Sequence, residues 1–149
     1  MHWLFKTEPD EFSIDDLKAD GTARWDGIRN YQARNFLRDQ VKLGDSVFIY
    51  HSSCARPGIA GQAEVIKTAY PDPAQFDAES RYYDPKATKD APRWFCVDVR
   101  WRATFPELLS LTRLKQLPVL EDMVLLKQGR LSVQPVTAEQ WRVIEALAG

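Results

Sequence analysis

The chain has 149 residues, 44% of them hydrophobic and 28% charged, with a formal net charge of −1. That length suits one domain, residues 1–149, burying about two-thirds of its unfolded surface, and the composition excludes a disordered or fibrous chain. The near-zero charge excludes binding by bulk phosphate neutralisation, so any nucleic-acid contact is expected to be local and pocket-like.

No window approaches the roughly 18 apolar residues of a membrane span, and the N-terminal stretch lacks an apolar signal core. A cytoplasmic location is expected, or a nuclear one in a eukaryote, with no membrane partner. Cys54 and Cys96 have no cysteine neighbours at metal-ligand spacing, and His2 and His51 complete the histidines. Free thiols are therefore expected, with neither a metal nor a cofactor.

His2 to Thr7 reads as an aromatic, apolar strand ended by Glu8-Pro9. Ser13 is an N-cap followed by Asp15 and Asp16, so a short helix starts there, and Gly21 closes it. Ala33, Phe36, Leu37 and Val41 recur at helical spacing and predict a helix from about Tyr31 to Gln40. Ser46 to Ser52 is a strand with Val47, Ile49 and His51 on one face and Phe48, Tyr50 and Ser52 on the other. Pro57-Gly58 leads into a further strand, Ile59 to Ile66. The proline- and charge-rich stretch from Tyr70 to Pro92 reads as a long loop, a kind usually functional when it lies inside a compact domain.

Trp94 to Phe105 alternates most cleanly, placing Val97, Val99, Trp101 and Phe105 on one buried face of a strand that Pro106 stops. Leu108 to Leu117 is a short helix. Gly129 to Val136 is a loop with a short strand, and Thr137 to Gln140 is the capping box of a last helix carrying Trp141, Ile144 and Leu147 inward. Strands with short helices and no regular βαβ alternation predict an α+β fold around a small mixed β-barrel of about five to six strands.

The stretch from Trp25 to Asn35 stands apart. It combines Trp25 and Tyr31 with Arg29, Arg34, Asn30, Gln32, Asn35 and Asp26. Flat rings beside rigid donors and acceptors suit a planar, hydrogen-bonding ligand such as a nucleobase. The same residues also suit a core in which Trp25 and Tyr31 bury their rings and the arginines are surface charges. The start of the following helix can additionally hold an acceptor-rich group near Gly27.

In order and spacing, Trp3–Pro9, Trp25–Asn35, Gly44-Asp45 with Tyr50–Ser52, Pro57–Gly61, Tyr83–Lys86, the Trp94 strand and Arg130–Pro135 resemble the EVE domain family of the PUA-like superfamily. The resemblance implies a pseudobarrel with flanking short helices and a pocket at its mouth that recognises a modified base, notably methylated or oxidised cytosine in DNA. It places the pocket on Lys6, Thr7 and Glu8, on the Trp25 segment, and on Tyr50, His51 and Ser52. Tyr83, Asp84, Lys86, Arg130 and Gln134 would complete it.

Within that site Trp25, Tyr31 and Tyr83 are the stacking candidates. Asp26, Asn30, Gln32, Asn35 and Ser52 are candidates for reading the base edge, and Lys6, Arg29, Arg34 and Lys86 for holding phosphates. DNA is favoured over RNA as the partner, with a nuclease as a possible companion. The competing reading is an enzyme, a hydrolase or nuclease pairing His51 with Glu8 or Asp26. No nucleophile motif, metal cluster or phosphate loop supports it, which favours a non-catalytic module.

Overall fold

Both faces of the first strand are apolar, and each finds its own core. In the computed structural model, which describes residues 1–148, β1 (His2–Thr7) turns Trp3 and Phe5 to one side and Leu4 to the other. It pairs in parallel with β3 (Ser46–His51), where Val47 and Ile49 join Trp3 and Phe5 while Phe48 and Tyr50 join Leu4. The remaining strands are β2 (Thr22–Trp25), β4 (Gly58–Pro71), β5 (Phe95–Ser110) and β6 (Val133–Val136). They form one mixed six-stranded sheet in the order β2-β5-β4-β3-β1-β6, with every pairing other than β1–β3 antiparallel. The fold is α+β, as the alternation patterns anticipated.

Two helices cover the first core. α1 (Ile14–Asp20) starts with Ser13 accepting from the Asp16 N–H while Asp16 accepts from the Ser13 N–H, and Gly21 ends it at φ +81°. α2 (Tyr31–Asp39) is capped by Asn30 and buries Ala33 and Leu37. The second core lies under three later helices, α3 (Leu111–Lys115), α4 (Val124–Lys127) and α5 (Ala138–Ala148). Trp141 of α5 stacks on Phe48 with ring centroids 3.6 Å apart. The Thr137–Gln140 capping box is present in both directions, at 3.0 and 3.1 Å.

Several boundaries differ from the sequence expectation, each for a local reason. β5 runs through Pro106 to Ser110, and the helix that follows spans only Leu111–Lys115. Pro106 falls where β5 has extra residues between the Thr104–Gly61 and Leu109–Ile59 pairs, so no ladder N–H is missed. A further register shift between Gln62 and Ala63 bends the same pair. Phe105 therefore joins the second core although Val97 and Val99 belong to the first, and Trp101 is only half-buried. Strand pairing carries β4 on to Pro71, into the expected loop. Leu147 is exposed because the buried stripe of α5 is Trp141 and Ile144, and Leu147 lies off that stripe.

Candidate functional site

The end of β1, the β2–α2 connection and three later loops line an open cavity of about 1110 Å³. Its lining includes Lys6, Thr7 and Glu8, the segment Trp25 to Arg29, Arg81 and Tyr82, and Ser52, Ser53, Gly129, Arg130 and Ser132.

The β2–α2 wall is held from behind by a residue the sequence reading passed over. Asp72 is 0% exposed; its Oδ2 accepts from the Gly27 N–H at 2.9 Å and from Arg29 Nη1 at 3.0 Å, and its Oδ1 from the Ala74 N–H at 2.8 Å. Arg29 also donates twice to the Tyr82 carbonyl, at 3.1 and 2.9 Å. Gly27 has φ +76°, and a side chain there would meet the Tyr82 ring at 2.9 Å. Glycine is thus required twice, for a left-handed backbone and for the approach of that ring. Arg29 and Arg81 lie 5.4 and 4.8 Å from the Tyr82 ring.

Buried Gln75 orders the loop beyond. Its Nε2 donates to the Asp72 and Trp94 carbonyls, and its Oε1 accepts from the Arg93 and Trp94 N–H groups. The Tyr70–Pro92 stretch is therefore ordered and brings Arg81 and Tyr82 to the cavity, its first turn opened by Asp72-Pro73. That dipeptide, a cap followed by proline, was the one legible signal of it. Nothing in the sequence distinguished Tyr82, which lines the cavity, from its neighbour Tyr83, which does not.

Among the candidates, Lys6, Thr7, Glu8, Trp25, Asp26, Gly27, Arg29, Ser52 and Arg130 come together around the cavity. Trp25 is 6% exposed and packs on Phe5 and Phe12, so it offers the cavity little of its ring. The Lys6 ammonium donates to the Gly129 carbonyl, and burial lowers its pKa. Burial, reinforced by the charge of Asp72, raises the pKa of Asp26.

The others serve elsewhere. Asn30 caps α2 by accepting from the Ala33 N–H at 2.9 Å, and Asn35 accepts from Arg34. Tyr31 stacks on Trp94, Gln32 is exposed, and Arg34 donates to the Arg93 carbonyl at 2.9 Å. Tyr50 belongs to the second core. Asp84 accepts from the Trp94 indole N–H at 2.8 Å and from the Lys86 N–H at 2.9 Å. Gln134 is buried, donating to the Gln128 and Leu131 carbonyls, with its Oε1 unpartnered.

His51 faces a separate cleft of about 490 Å³ with Asp10, Cys54 and Arg56. Its Nε2 accepts from the Ile14 N–H at 3.1 Å, and burial holds its pKa down. Glu8 and Asp26 line the other cavity, so the acid–base pair of the enzyme reading has no shared space. Among the described residues no helix is long and apolar enough to cross a membrane, and no three His, Cys, Asp or Glu side chains are grouped to hold a metal ion.

The cavity thus gathers an aromatic ring, carboxylate and hydroxyl groups and cationic side chains where the end of β1 meets the β2–α2 connection. A crystal structure from Pseudomonas putida, 56% identical, superposes with a TM-score of 0.96 over 100% of both chains. Human THYN1 protein, crystallised in complex with 5-methylcytosine containing DNA, is 42% identical with a TM-score of 0.94 over 99% of this chain and 96% of that one. The human sequence of thymocyte nuclear protein 1 is 43% identical over 98% of this chain and 73% of its own length. With the EVE domain model matching residues 1–147 as well, the chain belongs to the EVE domain family.

Proposed function

We propose that this domain is a non-catalytic reader of DNA that receives a modified cytosine, flipped out of its strand, in the cavity between Tyr82 and Asp26. The observation that carries this reading is the cavity itself, whose lining combines the Tyr82 ring with hydrogen-bonding side chains. At about 1110 Å³ it exceeds the roughly 300–1,000 Å³ of most small-ligand clefts, which leaves room for a base together with its sugar and phosphate. The 42% identity to the human protein crystallised with 5-methylcytosine containing DNA supports the choice of base.

Flipping a base costs a few kcal/mol, and stacking on one ring returns about 1–3 kcal/mol. Net affinity must therefore come from the base edge and the backbone. Asp26 can accept from the exocyclic amine of cytosine, and Thr7 and Ser52 bring hydroxyls to the same space. Lys6 and Arg130 supply positive charge for phosphates. A methyl group adds only about 0.8 kcal/mol by burial, roughly fourfold, so preference for methylcytosine over cytosine is modest unless the slot is tight.

Binding to matched oligonucleotides carrying cytosine, 5-methylcytosine, 5-hydroxymethylcytosine or N6-methyladenine, as DNA and as RNA, tests this. The expected result is a several-fold preference for one modified cytosine in DNA that Tyr82→Ala abolishes while the fold stays intact. Equal binding across the set refutes the reading, and preference for an RNA probe transfers it to RNA.

A further inference from the structure

A lone exposed tyrosine needs no explanation, but Tyr31 ends a ladder that begins in the cavity. Tyr31 is 51% exposed, and its ring stacks on Trp94 with centroids 4.8 Å apart and planes at 29°. The Arg34 guanidinium lies 4.7 Å from the Tyr31 ring and 5.9 Å from that of Trp94. These three separations make a compact triangle, whereas a guanidinium across the Tyr31 ring from Trp94 would stand well over half as far again from it. The outer face of Tyr31 is covered by neither.

The platform is rigid. Asp84 accepts from the Trp94 indole N–H at 2.8 Å, and Arg34 ties α2 to the Arg93 carbonyl at 2.9 Å. On the cavity side, the Arg29 guanidinium lies 5.3 Å from Trp94 and 5.4 Å from Tyr82. A ring, a guanidinium and two stacked rings thus run in sequence from the cavity wall to an open aromatic face. Every base has a face that can stack on such a ring, and a preorganised ring loses little entropy in accepting one.

We infer that this ladder is a track for single-stranded nucleotides flanking the base in the cavity. One flanking base stacks on the outer face of Tyr31, and the Arg34 charge lies beside the connecting phosphates. Arg29 on the cavity wall and Tyr31 are joined through Trp94 by contacts of 5.3 and 4.8 Å. A paired duplex, whose bases already stack on each other, cannot use this face. The track rests on the reader function proposed above.

The test uses single-stranded DNA with one central 5-methylcytosine and a series in which each flanking position in turn is abasic. Binding is measured for the wild type, Tyr31→Phe and Tyr31→Ala, the last being a good helix former at an exposed first-turn position. The wild type should lose at least about fivefold, the lower end of base–ring stacking, at one or two adjacent positions on one side. Tyr31→Ala should bind the intact strand weaker by the same factor and be indifferent to that abasic site, while Tyr31→Phe behaves as wild type. Equal binding of Tyr31→Ala and wild type throughout, with methyl preference retained, overturns the track and leaves the reader standing. Loss of methyl preference in the wild type itself overturns both.

Discussion

Asp72 is the anchor behind the cavity, and Asp72→Asn isolates what its charge contributes. The amide must turn an N–H either toward the Gly27 and Arg29 donors or toward the Ala74 N–H, so donor meets donor in a fully buried place. A buried donor left unmet costs about 1–3 kcal/mol. Removing one partner of a buried ion pair costs about 3–5 kcal/mol. That figure is an upper limit here, because Arg29 is 20% exposed and keeps its two bonds to the Tyr82 carbonyl. A net loss of about 3 kcal/mol follows, or roughly 6–12 °C in melting temperature for a chain of this length. Urea unfolding followed by tryptophan fluorescence measures it, with the m-value unchanged. A loss below about 1 kcal/mol would refute the assignment of Asp72 as the anchor.

Two further substitutions probe the same frame. Gly27→Ala and Gly21→Ala both force a side chain onto a positive-φ backbone, at +76° and +81°, at a cost of about 1–3 kcal/mol each. Only Gly27→Ala presses on the Tyr82 ring, so calorimetry should register both variants while oligonucleotide binding falls for Gly27→Ala alone; equal binding by the two would separate Tyr82 from the ligand. Burial holds the pKa of His51 below its ordinary value near 6.5, so the unfolded chain takes up a proton first. Stability is therefore complete above that value and falls as pH drops below it, by about 1 kcal/mol for the Ile14 N–H bond at stake. Denaturant titrations between pH 7 and pH 5 should show His51→Gln losing this slope, with a remnant from His2, whose pKa is lowered by burial and by the terminal ammonium. An unchanged slope would place the titration elsewhere.

The family and the fold class were legible in the sequence because both rest on local order. Alternation placed Trp3 and Phe5 against Leu4, and capping signals at Ser13, Gly21 and Thr137 marked helix ends whose bonds the structure contains. Half of the cavity was legible for the same reason, since Lys6–Glu8 and Trp25–Arg29 are continuous stretches. Which ring faces the ligand space was settled only by tertiary packing. Trp25 turned into the core against Phe5 and Phe12, while Tyr82 was brought over Gly27 by a loop that Gln75 orders. Asp72 draws its meaning from partners more than forty residues away, and His51 opens on a different cleft from Asp26, with its Nε2 taken by the Ile14 N–H. Periodicity along a chain reports which way a residue faces. It holds no record of a hydrogen bond between distant segments, and those bonds build the wall of this cavity.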